Sequence, residues 1–239
     1  MILDEKAARM LEIYANRRFD SFHSSQRIRI SLLLWVIRRK ILRNLKRCLD
    51  LFVAILALIA VSPIMLITAI AVKLESPGPI LFRQTRVGRW GEHFPCYKFR
   101  SMYIDAELRL QELMALNEAD GPVFKMKDDP RVTRVGRIIR KLSIDELPQL
   151  FNVLKGQMSL VGPRPALPRE VALYSYEQIG RLNAVPGITG LQQVSGRSNV
   201  DFKRWIELDL QYISEQSLWK DIEILLKTIP AVLVSRGAY

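Results

Sequence analysis

With 239 residues the chain is long enough for one or two domains and a sizeable core, and 36 Lys and Arg against 24 Asp and Glu give it a formal charge of +12. Such a charge points to nucleic acid, an anionic membrane surface or a phosphate-rich substrate. Two cysteines, Cys48 and Cys96, and two histidines, His23 and His93, show no CxxC, Cys/His or HExxH spacing, which argues against a zinc site and a disulfide framework. Any metal should then be oxygen-ligated, as Mg²⁺ is, and any acid–base chemistry should rest on carboxylates.

Residues 1–45 show no cleavable signal peptide, because the first apolar run begins only at Ile30 and no small-residue cleavage site follows it. Leu3 to Asn16 has helical spacing, with Ala7, Met10, Leu11 and Tyr14 on one face. Ser31 to Leu45 joins an apolar half containing Trp35 to an arginine-rich half. It is too short to span a bilayer and reads either as an amphipathic helix at the interface or as an ordinary surface helix.

Leu51 to Val72 carries no charge over 22 residues. As a straight helix it would be about 33 Å long, enough for a hydrocarbon core of roughly 30 Å. Ser62 and Pro63 lie at its midpoint, and a proline there should bend or break the helix. Arg38, Arg39, Lys40, Arg43, Lys46 and Arg47 precede the run, while Lys73, Arg83, Arg86 and Arg89 follow it, so both ends read as cytoplasmic. A helix that dips into the bilayer at a Ser62-Pro63 kink and returns satisfies both flanks; a bent spanning helix and a buried core helix are the alternatives. The chain divides accordingly into an amphipathic extension (1–45), a re-entrant membrane helix (46–75) and a catalytic domain on the cytoplasmic face (76–239). The expected fold class is α+β: a mostly helical monotopic membrane protein with interfacial amphipathic helices and a small β-hairpin.

SPGP (76–79) should turn the chain out of the bilayer. Ile80 to Val87 and Phe94 to Met102 read as strands of a hairpin around GRWG (88–91). Lys98 and Arg100 end the second strand, where they could face a phosphate or form a solvated face. Residues 103–118 are helical by composition, and DGP (120–122) stops that helix. Phe124 to Leu142 is dense in cations, and Arg134, Arg137 and Lys141 with Val135, Ile138 and Ile139 fit an amphipathic helix on an anionic surface. Without aromatic interleaving or a known module, this stretch argues against a nucleic-acid partner.

Asp145 and Glu146 are adjacent carboxylates among these cations. Ser143 and Glu146 also form an S-x-x-E pattern, so the pair could be only a capping box. GPRP (162–165) and PGITGL (186–191) read as rigid turns, the second followed by QQVSGRS (192–198). They display Arg164 and Arg197 for bidentate phosphate binding, or simply as exposed arginines. Trp205 to Ser217 and Leu218 to Val234 look like two closing helices. No GxxxxGK[ST] or GxGxxG is present, and Asp128-Asp129 lacks the D-x-D spacing of a metal-dependent glycosyltransferase.

The joined motifs KRCLDLFVAILALIAVSP, SPGPILFRQTRVG, KFRSM, DPRVTRVGRIIRKLSIDELPQLFNVLKGQMSLVGPRP and PGITGLQQVSGR resemble the bacterial sugar transferases, over about Lys46 to Val234. More narrowly they resemble the monotopic phosphoglycosyl transferases, in a minimal catalytic form with an N-terminal extension. The resemblance implies transfer of a sugar-1-phosphate from a UDP-sugar to polyprenyl (undecaprenyl) phosphate, with release of UMP, as the first membrane step of surface glycan assembly. It implies Asp145 as nucleophile, Glu146 as the Mg²⁺-associated carboxylate, and Lys98, Arg140, Arg164, Pro165 and Arg197 around the substrate. It also implies membrane lipids as partners and a location on the cytoplasmic face of the bacterial inner membrane. The sugar, the glycan pathway, the polyprenyl length and any homo-oligomer stay open. A non-catalytic peripheral scaffold that binds anionic lipid is the alternative.

Overall fold

The computed structural model describes residues 22–118, 124, 126, 128–196 and 201–233. The expected helix at Leu3–Asn16, the DGP breaker and Arg197 lie outside the described residues. The chain forms two units, Met1–Lys46 and Arg47–Tyr239. In the first, helical residues expose Ile30, Leu33 and Leu34, and Arg39 stacks 4.2 Å from the Trp35 ring centroid.

Helix α1 runs from Phe22 to Glu75 with Pro63 inside it. By length and composition it is apolar enough to cross a membrane, and its most apolar window is only 11% buried, which argues against the buried-core alternative. Within the second unit, Asp50, Ala54, Thr68 and Val72 are buried and Ala57, Val61, Met65 and Ala69 pack between them, a helical stripe facing the protein. Phe52, Ile59, Leu66 and Ile67 are exposed on other faces. Pro63 lacks the N–H that would bond the Ile59 carbonyl four residues back; Ser62 Oγ donates to that carbonyl at 2.9 Å. The break expected at Ser62-Pro63 is not seen: the helix continues through Pro63.

The end of α1 is tied down by side chains. Buried Arg100 donates to the carbonyls of Val72, Ser76 and Pro77, and Gly78 has φ +120°. A Cβ there would collide with the Arg100 guanidinium. Arg47, counted as a flanking cation in sequence, donates to the carbonyls of Val153 and Leu154 at 2.6 and 2.9 Å.

Strands β1 (Leu81–Val87) and β2 (His93–Phe99) form the expected hairpin, antiparallel with Val87 opposite His93. Its turn places Trp90 and Gly91 at positive φ. The helix expected over 103–118 is shorter: α2 (Ala106–Leu113) tightens into a 3₁₀ turn at Met114–Leu116. Helix α3 (Arg134–Lys141) starts at Thr133, whose Oγ1 accepts the Gly136 N–H at 2.9 Å. The Glu75 carboxylate at the end of α1 accepts the Val135 N–H at 3.1 Å, a favourable place for an anion. Gly136 sits against the Ser101 carbonyl, where a Cβ has no room.

PGITGL is not simply a rigid turn. Gly187–Thr189 is a strand, β4, that pairs in parallel with β3 (Ser159–Val161). The backbones come so close that a Cβ on Gly162 or Gly187 would collide with the opposing chain. Asp50 secures β3 by accepting Ser159 Oγ at 2.8 Å and the Leu160 N–H at 3.1 Å. Helix α4 (Gln149–Leu154) underlies β2; the short helices α5 (Pro168–Val171), α6 (Tyr176–Ile179) and α7 (Leu191–Val194) follow, and α8 (Phe202–Glu215) and α9 (Leu218–Leu233) complete the described chain. Ala54, Cys96, Val153, Val161, Tyr212 and Ile224 share the main core, so α1, β2, α4, β3, α8 and α9 meet there. A smaller core joins Val72, Phe99 and Ile139.

Candidate active site

Helix α3 stops because Ser143 adopts the left-handed conformation, φ 57°, which is uncommon for a residue with a side chain. The reversal turns the next residues, a 3₁₀ turn at Ile144–Glu146, back against β2. Ser143 makes no side-chain cap bond. The S-x-x-E pattern is therefore not a capping box, and both carboxylates are released for other contacts.

Lys98 belongs to the inward face of β2, alternating with Phe94 and Cys96, and not to a solvated one. Asn152 of α4 fixes that strand, accepting from the Tyr97 N–H at 3.0 Å and donating to the Pro95 carbonyl at 2.7 Å. Lys98 Nζ then reaches Glu146 Oε1 at 2.8 Å, and Arg164 Nη2 meets the same oxygen at 2.8 Å. Arg100, the other cation of KFRSM, points away to the end of α1.

The two carboxylates have opposite electrostatics. Burial opposes ionisation of Glu146, but the charges and hydrogen bonds of Arg164 and Lys98 outweigh it and hold the carboxyl well below its usual range. Glu146 in turn raises the Arg164 guanidinium. Asp145 is 7% exposed, and its carboxylate takes no hydrogen bond from any described residue. Burial pushes it up to about 6, with Lys98 opposing and the Glu146 charge adding to the rise.

A cleft of about 820 Å³ opens over this pair, lined by Lys98, Arg140, Asp145, Glu146, Arg164 and Pro165, with Ala57 and Val61 of α1 on its wall. Arg86 also lines it. Burial, and next the Arg164 charge, lower the Arg86 guanidinium, which donates to the Pro165 carbonyl at 2.9 Å. With Arg100, Arg131, Arg169, Glu107 and Glu170 also on its wall, seven cations and four carboxylates line the cleft, an excess of positive charge suited to a diphosphate. In sequence Arg86 stands out only as a flanking charge; its signal as a site residue is its alternation with Gln84 on β1.

No group of three or more His, Cys, Asp or Glu converges among the described residues. A resident metal of the all-protein kind does not fit. Glu146 has one oxygen doubly bonded to cations and the other met only at 3.4 Å by Arg164. One carboxylate oxygen with phosphate and water is a donor set Mg²⁺ accepts.

Residues 41–235 match the bacterial sugar transferase family. The chain belongs to that family. It is 48% identical over 204 residues to an undecaprenyl-phosphate galactose phosphotransferase of Salmonella typhimurium, covering 82% of this chain and 42% of that one. It is 45% identical over 198 residues to the exopolysaccharide production protein ExoY of Sinorhizobium fredii, covering 81% and 88%. A third relative is the UDP-N-acetylgalactosamine-undecaprenyl-phosphate N-acetylgalactosaminephosphotransferase of Aeromonas hydrophila, 45% identical over 204 residues, covering 81% and 45%. The chain therefore spans less than half the length of the first and third of these.

Proposed function

We propose that this chain transfers a sugar-1-phosphate from a UDP-sugar to a polyprenyl phosphate and releases UMP. The observation that carries this reading is the pairing at one cleft of a buried, unbonded Asp145 with a Glu146 that two cations keep ionised. The relatives' names support a polyprenyl phosphate acceptor and a nucleotide-sugar donor.

An Asp145 oxygen attacks the β-phosphorus, an Asp145–phosphorus bond forms, and the bond to the bridging oxygen breaks so that UMP leaves with that electron pair. A polyprenyl phosphate oxygen then attacks the same phosphorus and returns the Asp145 carboxylate. Ionised at pH 7, Asp145 needs no histidine base. Lys98, Arg140 and Arg164 neutralise the charge that builds on the phosphate oxygens, and Arg197 of the same motif set is assigned to that group by the family pattern. Pro165 fixes the turn after Arg164. Glu146 would hold Mg²⁺ together with substrate phosphate, and the ion would supply further neutralisation of the diphosphate.

The exposed faces of α1 are taken to lie in lipid, with the helix re-entrant at Ser62-Pro63 and the site at the cytoplasmic face of the inner membrane. Cations on both flanks of the apolar run support this. A lipid-binding scaffold would have no use for a buried ionised carboxylate pair. The test is UMP release from a panel of UDP-sugars with undecaprenyl phosphate and Mg²⁺. Release with one or a few donors, dependent on Asp145, is expected; no release with any donor, from folded protein in lipid, would overturn the reading.

A further inference from the structure

Arg164 is carried by a loop in which four consecutive carbonyls are each taken. Pro163 accepts the Gly187 N–H, Pro165 accepts Arg86 Nη1 and Ala166 accepts the Val87 N–H, each at 2.9 Å. Their donors stand on β4 and β1, which the sheets already hold. The Arg164 carbonyl is served differently, by Arg181 Nη2 at 2.9 Å, from a short 3₁₀ turn (Gly180–Asn183).

Arg181 is itself held on all sides. It is 3% exposed, its Nη2 also meets Asp209 Oδ2 at 2.6 Å, and its Nη1 donates to the Tyr174 hydroxyl at 2.6 Å. The Trp205 ring centroid is 5.4 Å from the guanidinium carbon. Asp209 is 1% exposed, and burial lifts its carboxyl to about 6 against the pull of Arg181. A buried ion pair of this kind contributes less to stability than well-packed apolar residues would, and its return is a fixed geometry. Arg181 is absent from the lining of the catalytic cleft.

We infer that Arg181, locked by Asp209 and Tyr174, is a positioning residue: by fixing the Arg164 carbonyl it aims the Arg164 guanidinium at Glu146 and at an incoming phosphate. This rests on the reading above that Arg164 binds phosphate during the reaction. A shift of about 1 Å in such a group costs on the order of 100-fold in rate.

A double-mutant cycle tests it, read as kcat and KM for UMP release with melting temperature as the check on folding. Arg181→Lys keeps the charge but loses the fork that serves carbonyl and carboxylate together. It should lower kcat about tenfold or more with KM changed less than about threefold, the pattern of an interaction made in the transition state. Arg164→Ala should lower kcat by about 100-fold. In the Arg164→Ala background, Arg181→Lys should cost less than about twofold, because the group it aims is gone. Full additivity of the two losses would overturn the inference, since a merely structural Arg181 would cost the same in either background. An Arg164→Ala variant with unchanged kinetics would instead overturn the phosphate-binding reading of Arg164. If Arg181→Lys does not fold, Tyr174→Phe, which removes one half-buried hydroxyl, enters the same cycle with the same criterion and a smaller expected loss of a few-fold.

Discussion

Asp145 and Glu146 are chain neighbours, yet their surroundings shift their carboxyls in opposite directions. Glu146 spends its charge on Lys98 and Arg164, while Asp145 receives burial without hydrogen bonds. Asp145→Asn keeps the shape and removes the proposed nucleophile, so UMP release should be abolished. Its melting temperature at pH 7 should not fall, because the variant also removes a carboxylate whose ionised form burial disfavours. Mass spectrometry of the parent protein with UDP-sugar and Mg²⁺, without acceptor, should find one added sugar-phosphate on the peptide holding Asp145; an unmodified peptide would favour direct transfer. Glu146→Gln should also cut turnover sharply. The pH profile follows from the raised Asp145 value of about 6: as the proposed nucleophile it must be ionised, so kcat/KM should be level above about pH 7 and drop about tenfold per unit below 6. A profile flat down to pH 5 would exclude Asp145 as the attacking group. Sequence context was enough to single out this carboxylate pair. Lys98 was ambiguous because a strand's inward parity depends on what packs beneath it, and Arg181 gave no signal because the carbonyl it serves and its carboxylate partner lie 17 and 28 residues away.

At the scale of elements, α3 is docked through the close approach of Gly136 to the Ser101 carbonyl. Gly136→Ala gains helix propensity but must push the helix off the Ser101 backbone, and Arg140 and the Asp145 turn would move with it. A net loss of about 2 kcal/mol in a denaturant titration is expected, with lowered kcat; a stabilised, fully active variant would show that the contact can relax. For α1, cysteines replacing Arg43 and Trp90 in a Cys48→Ser background should both react with an impermeant thiol reagent from the cytoplasmic side alone. Pro63→Leu should shift label toward opposite sides, since the run is long enough to span once the Ile59 carbonyl regains its backbone partner. Opposite-side labelling in the parent would establish a spanning helix. The hairpin was legible from alternation and a Gly-rich turn. The β3–β4 pair was not, because three-residue strands have no readable period and their glycines look like turn signals.

For the whole molecule, the +12 charge and the apolar faces of α1 make different claims on a membrane. Charge attraction fades as the Debye length shrinks to about 3 Å at 1 M salt, whereas apolar contact does not. Protein in membranes should therefore survive a 1 M salt wash and leave only with detergent; release by salt alone would assign the attachment to charge. The way α1 is built into the second unit carries one more consequence. Ala54 and Val72 lie in its two cores, Asp50 holds β3, and Glu75 caps α3. Cutting the chain after the apolar run to obtain a water-soluble domain would pull a wall out of the folded body, leaving both cores open and β3 without Asp50. What looks in sequence like a detachable anchor is part of the frame, and solubility has to be engineered on its outward face.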